Sequence, residues 1–431
     1  MIEIIRYPEK KEWKRILQRP AFNTNELEAK VSSILKNVKE NGDKALKEYA
    51  FSFDKVQLDS LEVSEKEINN ASNLVSEELQ GAIKNAKSNI EKFHNQQKEV
   101  VKQIETAKGV LCWRKSVGIE KVGLYIPGGT APLFSTVLML GVPAQLAGCK
   151  EIILCTPCDK NGKINPAILF TAKLVGITKI FKVGGAQAIA AMAYGTESIP
   201  QVYKIFGPGN QYVTCAKQLV NKEGVAIDMP AGPSEVAVIA DETCIPEFVA
   251  ADLLSQAEHG TDSQVILVSD NENVIANVNA ELKKQLELLP RKEIATQALK
   301  NSKAILVRDL NEGIDLLNEY ASEHLIIACK NEEELASKVI NAGSVFLGNY
   351  SCESAGDYAS GTNHTLPTNG NAKAYSGVSL DSFVNKITFQ KLSKEGIKSI
   401  GTTIELMAAA EGLDAHKNAV SIRIKDLGNR I

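Results

Sequence analysis

The sequence predicts an α/β protein of two Rossmann-like but incomplete parallel-sheet domains, with a helical amino-terminal segment and a helical carboxy-terminal tail. Three observations carry this. A chain of 431 residues, 44% hydrophobic and 23% charged, suits a compact protein with more than one core. From about Gly118 to Leu347, short apolar runs alternate with small-residue helical stretches, the pattern of βαβ units. Glycine-rich turns follow several of these runs.

The elements follow in order. Met1 to Lys10 carries charge from Glu3 onward and has no apolar core, so a secretory signal is not expected. From Asn25 to Val100 the pattern is helical and polar. Leu27, Val31, Ile34, Leu35 and Val38 keep a 3.6-residue period, and Ile68, Leu74, Val75, Leu79, Ile83 and Ile90 follow it loosely. Strands are predicted near Val122–Ile126, Ile152–Cys155, Ile180–Val183 and Tyr203–Phe206. Helices near Ser135–Ala147, Asn165–Val175, Gly185–Tyr194 and Asn210–Val220 alternate with them. A second set of strands lies near Val236–Ile239, Val265–Val268, Ala304–Val307, Leu325–Ala328 and Ser344–Leu347. Helices accompany it near Pro246–Glu258 and Asn311–Tyr320, and Pro246 suits a first helical position, where its missing N–H costs nothing. Beyond Leu380 the pattern is mainly helical, in a stretch too small and polar to hold its own core, so it must pack on something such as a partner subunit. The expected division is a segment 1–24, a first α/β domain of 25–120 with 236–380, a second of 121–235, and a tail 381–431.

Several classes are excluded. The net charge is −3 and no basic block exists, so nucleic acid has no electrostatic footprint. Val122 to Gly148 is free of charge and long enough to span a bilayer, but Pro127, Pro132 and Pro143 break it, and it reads as buried strand, loop and helix. Eight scattered cysteines without a signal point to reduced thiols in the cytoplasm. The C-x-x-C of Cys155 and Cys158 has no second pair and no thioredoxin-like setting.

Chemistry is sought first among the five histidines. His94 stands in Glu-Lys-Phe-His-Asn-Gln-Gln, a polar helix, and reads as a surface side chain. His259, His324, His364 and His416 lie near carboxylates, carboxamides or glycines at element ends. Gln256 and His259 are three apart at the end of a helix that Gly260 terminates, so they share a face. With Asp357 and His416 they would make an open Zn²⁺ shell of nitrogen and oxygen donors. Scattered ligands have no sequence signature and glutamine is an uncommon zinc ligand, so from spacing alone helix caps or satisfied polar networks are the stronger explanation. Glu323 and His324, at a helix-to-strand corner, suit proton transfer near neutrality; a histidine favoured by a helix dipole is the competing explanation. The turns at 126–130, 183–188 and 206–210 each follow a strand and open a helix. None completes a dinucleotide fingerprint, yet three at successive strand ends favour a ligand crevice.

A set of strings then carries a resemblance. Tyr-Ile-Pro-Gly-Gly (125–129), Gly-Gly-Ala-Gln-Ala (184–188), Gly-Pro-Gly-Asn (207–210) and Asp-Met-Pro-Ala-Gly-Pro-Ser-Glu (228–235) are followed by Ser-Gln-Ala-Glu-His-Gly (255–260). Ser-Glu-His-Leu (322–325), Asp-Tyr-Ala-Ser-Gly-Thr-Asn-His (357–364) and Glu-Gly-Leu-Asp-Ala-His (411–416) complete the series. In this order they resemble the histidinol dehydrogenase family. Thr365 stands where an apolar residue is expected.

The resemblance implies oxidation of L-histidinol to L-histidine through the aldehyde, with two NAD⁺ used in succession. It places one zinc per subunit on Gln256, His259, Asp357 and His416, which also contact substrate. His324 becomes the general base and a substrate contact, and Glu323 activates water. Ser234, His364 and Glu411 bind substrate, and Tyr125, Gln187 and Asn210 bind the cofactor. It further implies a homodimer in which Glu411 and His416 complete the neighbour's site. Three alternatives stay open: a zinc hydrolase using Glu323-activated water, a dehydrogenase with Cys112 or Cys149 as nucleophile, and a non-catalytic nucleotide-binding scaffold.

Overall fold

The computed structural model describes residues 2–20, 24–128, 132–230 and 232–428. Gly129 and Thr130 of the first glycine-rich turn, and Ala231, fall outside that set. In chain order the strands are β1 (Glu3–Arg6), β2 (Ile104–Ala107), β3 (Val110–Gly118), β4 (Lys121–Tyr125), β5 (Glu151–Thr156), β6 (Lys179–Lys182) and β7 (Lys204–Phe206). After them come β8 (Ala226–Ile227), β9 (Glu235–Ala240), β10 (Gln264–Ser269), β11 (Lys303–Leu306), β12 (His324–Ala328), β13 (Ser344–Leu347) and β14 (Val384–Leu392).

Residues 1–96 and 119–383 form one compact unit holding two all-parallel sheets. The six-stranded sheet runs β1-β11-β10-β9-β12-β13 and the five-stranded sheet runs β6-β5-β4-β7-β8. Parallel strands covered on both faces need apolar side chains on both. Accordingly β9 (EVAVIA), β10 (QVILVS) and β12 (HLIIA) are buried at every position. One face of the six-stranded sheet packs on helices 246–257, 272–286 and 292–300 through Leu253, Ile275 and Leu299. The other packs on helices 10–16 and 310–320 through Trp13, Ile314 and Leu317. Each fully buried side chain of this kind contributes roughly 1.5–3 kcal/mol of transfer free energy.

The helical stretch 25–100 does not join the six-stranded sheet as the domain division expected. Val31, Leu35, Val38 and Leu46 of helix Thr24–Tyr49 pack instead with Ala188, Ile189 and Met192 of helix Gly185–Tyr194, over β5 and β6 of the five-stranded sheet. The small side chains of that second helix present a surface an apolar stripe can approach closely. On the opposite face, Ile83 and Ile90 of helix Glu77–Asn95 pack with Val137 and Leu140 of helix Phe134–Ala147. The first residues belong to the six-stranded sheet, since β1 pairs in parallel with β11.

The second unit comprises residues 97–118 and 384–431. It is not a purely helical tail: β14 pairs antiparallel with β3 along its whole length, and β2 closes the far side of β3. Trp113 and Phe389 stack across the strands at 5.4 Å. Helices Lys394–Ala410 and Asp414–Gly428 then pack against each other where Gly401 admits Val420 and Ile424. No helix among the described residues is long and apolar enough to cross a membrane.

Candidate active site

The catalytic candidates gather at the amino ends of β9 and β12. Helix Leu310–Tyr320 ends on Ala321, a buried non-glycine residue held at φ +53°, and three residues later His324 opens β12. Its neighbour β9 opens with Glu235, whose backbone meets both members of the pair. The Glu235 N–H donates to Glu323 Oε2 at 2.9 Å, and the Glu235 carbonyl accepts from His324 Nδ1 at 3.2 Å. A carbonyl only accepts, so Nδ1 keeps its proton whether the ring is neutral or charged, and Nε2 is the nitrogen that gains or loses one. That nitrogen, Nε2, is buried and stands 3.4 Å from Asp357 Oδ1, and neither atom has an aligned hydrogen-bond partner among the described residues. Burial pushes the Glu323 carboxyl up to about 8, against the opposing pull of His324 and the Glu235 amide. Burial disfavours the His324 imidazolium, but the Glu323, Asp357 and Glu353 carboxylates outweigh it and raise the group above its ordinary value.

The remaining predicted residues of the first unit surround this pair. Asp357 lies in helix Glu353–Tyr358; burial opposes its ionisation, yet His324 and the other imidazoles hold its carboxyl below the usual range. His259 follows helix Pro246–Ala257 and stands with Nδ1 3.2 Å from Ser234 Oγ. Burial lowers its pKa and so favours the neutral imidazole that a metal requires. Gln256 is 1% exposed, and its amide oxygen and nitrogen are both buried with no partner among the described residues. His364 has both ring nitrogens engaged: Nδ1 donates to the Asp357 carbonyl at 2.9 Å, and Thr136 Oγ1 donates to Nε2 at 3.1 Å. Glu411 and His416 belong to the second unit, where both are exposed. Among the described residues no three His, Cys, Asp or Glu side chains form a metal-holding group. The first unit supplies the Asp357 carboxylate, whose Oδ1 has no aligned hydrogen bond among the described residues, the His259 imidazole and the Gln256 amide, a donor set that fits a borderline divalent cation.

The glycine-rich turns line a cavity of about 1350 Å³ in the same unit. In the five-stranded sheet β5 and β7 flank β4 on opposite sides, so β4 marks the switch point where α/β sheets bind ligands beyond their carboxyl ends. Tyr125 ends β4; its hydroxyl accepts the Gly185 N–H at 3.1 Å, and burial pushes its pKa up to about 12. Gln187, 5% exposed, and Asn210 also line the cavity. Asn210 Oδ1 additionally caps helix Gln211–Lys222 by accepting from the Tyr212 and Val213 amides. Gly207 leaves β7 at φ +130° so close to the Tyr125 carbonyl that a Cβ would lie 2.1 Å from it. A buried Lys217–Asp228 ion pair brackets this turn, Lys217 donating to the Gly207 carbonyl and Asp228 accepting from its N–H.

Two readings of the sequence change. His94 is fully buried, not solvated: it faces inward beside Ile83, Ala86 and Ile90, with Nε2 3.5 Å from Asn363 Nδ2. Cys149 is buried in the core and its thiol is pushed up to about 11, which argues against a nucleophile there. Other contributors went unnoticed. Glu353, 1% exposed and pushed up to about 8 by burial, accepts a hydrogen bond from Ser255 and lies four residues before Asp357. Its helical spacing from Asp357 is the signal that could have exposed it. Glu235 and Thr136 act through contacts far apart in sequence, which no local pattern carries.

A large crevice at a sheet switch point and, in the same compact unit, a buried carboxyl–imidazole pair define the class, an α/β enzyme. The histidinol dehydrogenase profile matches residues 17–424, and the chain belongs to that family of oxidoreductases. It is 64% identical to a histidinol dehydrogenase of Bacteroides thetaiotaomicron, over 99% of this chain and all of the relative. It is 52% identical to that of Escherichia coli, over 96% and 95% of the two chains. A crystal structure of histidinol dehydrogenase from Elizabethkingia anophelis superposes with a TM-score of 0.97 at 59% identity, covering 99% of each chain.

Proposed function

We propose that this cytoplasmic enzyme oxidises L-histidinol to L-histidine through L-histidinal, taking up two NAD⁺ in turn. The observation that carries the reading is the orientation of His324, whose Nδ1 is spent on the Glu235 carbonyl and whose Nε2, the nitrogen left to exchange a proton, is buried beside Asp357 with no aligned partner among the described residues. NAD⁺, when bound, supplies the hydride acceptor for both oxidations. Tyr125, Gln187 and Asn210 would hold it in the cavity below the glycine-rich turns. Zinc, when bound, supplies a borderline Lewis acid that orients a nitrogen-rich substrate. Gln256, His259, Asp357 and His416 would hold it, His416 coming from the partner of a homodimer.

In the first oxidation His324 Nε2 takes the alcohol proton while the carbinol hydride departs. Glu323 then takes a proton from water as the oxygen adds to the aldehyde, and His324 returns its proton to the former carbonyl oxygen, giving the hydrate and leaving His324 free to act again. His324 takes a hydrate O–H proton as the second hydride leaves, and the product is the carboxylic acid. Each positioned proton transfer contributes roughly 10²- to 10⁴-fold in rate. Ser234 and Glu411 would contact substrate; His364 joins them when Thr136 yields its Nε2.

The test is NADH formation with L-histidinol and NAD⁺, before and after chelation and zinc restoration, counting NADH per substrate consumed. Two NADH per histidinol, lost with the metal and regained with it, are expected. No NADH at all would eliminate the dehydrogenase reading and bring forward hydrolysis by Glu323-activated water.

A further inference from the structure

Arg19 lies in the short link between helix Lys10–Ile16 and helix Thr24–Tyr49, outside every motif of the sequence and far along the chain from the site. Its guanidinium is nevertheless mostly buried, with 16% of the side chain exposed against 2% for its partner Glu235. Nε and an Nη both donate to the Glu235 carboxylate, the second at 2.8 Å. The same Nη donates to the Tyr320 carbonyl at 2.7 Å and reaches the Ala321 carbonyl at 3.4 Å. The guanidinium plane also lies 4.1 Å over the Tyr320 ring. One side chain therefore grips two pieces of backbone. The first is the start of β9, where Glu235 N–H and C=O hold Glu323 and His324. The second is the left-handed corner at Ala321 that delivers Glu323 and His324 into β12. The Asn369 N–H donates to the same carboxylate at 2.8 Å, so Glu235 has no slack once Arg19 is in place.

We propose that Arg19 is a positioning residue for the oxidation: by clamping Glu235 to the 320–321 corner, it fixes the tautomer and placement of His324 without touching substrate. The inference rests on His324 acting as the base. A flexible lysine replaces this fork poorly, because a point charge cannot satisfy a carboxylate and two carbonyls together.

The test compares Arg19→Ala, Arg19→Lys, Glu235→Gln and His324→Asn in the NADH assay, with activity normalised to folded protein. Arg19→Ala is expected to lower kcat ~10- to 100-fold while KM for histidinol and NAD⁺ changes less than about twofold, the mark of a displaced base. Added guanidinium, at concentrations that leave the wild-type protein folded, should restore part of that kcat. Arg19→Lys should fall between wild type and alanine, and Glu235→Gln should follow it, so the proposal remains testable if the alanine variant does not fold. Unchanged kcat per folded molecule, with only a lower unfolding midpoint, would overturn it, as would a loss that guanidinium does not repair. If His324→Asn keeps its kcat, the reading of His324 itself is what fails.

Discussion

A backbone carbonyl, not a side chain, decides which nitrogen of His324 performs chemistry. That decision comes from Glu235, 89 positions away in the chain, so the local string Ser-Glu-His-Leu reveals the reacting groups but not their orientation. His94 teaches the converse, because its neighbours in sequence are polar while its neighbours in space are Asn363 and an apolar helix face. Buried hydroxyls obey the same accounting at this scale. Thr365 is 5% exposed and its Oγ1 has no partner among the described residues, so it carries an uncompensated desolvation cost. Thr365→Val keeps the shape and removes that cost. Urea unfolding should show a gain of about 1 kcal/mol, and a loss of stability would mean that the hydroxyl is satisfied after all.

At the scale of elements, the buried parallel strands were legible because each is a nearly continuous apolar run; β9 and β10 were placed almost residue for residue. β14 does not read as a strand in the sequence because it carries Asn, Lys, Thr and Gln between its apolar residues, and its partner β3 lies more than 250 residues earlier. β1 is short and mostly exposed, so it offered no apolar run to detect. The packing of helix Thr24–Tyr49 on the five-stranded sheet depends on the shape of a small-residue helix, which periodicity does not encode. Below the cavity, the Lys217–Asp228 pair holds the Gly207 turn and is buried on both sides, with 3% and 1% exposed. Lys217→Met should destabilise the fold by roughly 3–5 kcal/mol by leaving Asp228 buried and unpaired. Pairing it with Asp228→Asn should recover part of that loss, which chemical denaturation of the single and double variants measures.

For the whole molecule, Gln256, His259 and Asp357 belong to the first unit and Glu411 and His416 to the second, and the proposed homodimer would take the last two from the partner chain. If sites are shared in this way, complementation follows. Mixing Glu323→Gln chains with His416→Asn chains should restore activity in hybrid dimers, because one of the two sites in each hybrid is intact. Hybrids as inactive as the parent variants would show that each chain completes its own site. Metal removal should act on stability as well as on rate, since a cation bound only by the folded form stabilises it by about 2.7 kcal/mol at a hundredfold excess over Kd. Calorimetry with and without chelator measures this. An unchanged unfolding temperature would remove the metal from Gln256, His259 and Asp357.

The second unit also sets an order of events during translation. Its central strand β3 is complete by Gly118, but the partner that covers its open edge, β14, begins only at Val384. While the ribosome makes the intervening chain, β2 and β3 wait as a two-stranded hairpin, which is marginal alone and offers a free edge to other nascent chains. Any messenger truncated before the codon for Val384 would leave that edge permanently uncovered. Such products should be insoluble or quickly degraded, however well their two parallel sheets have formed.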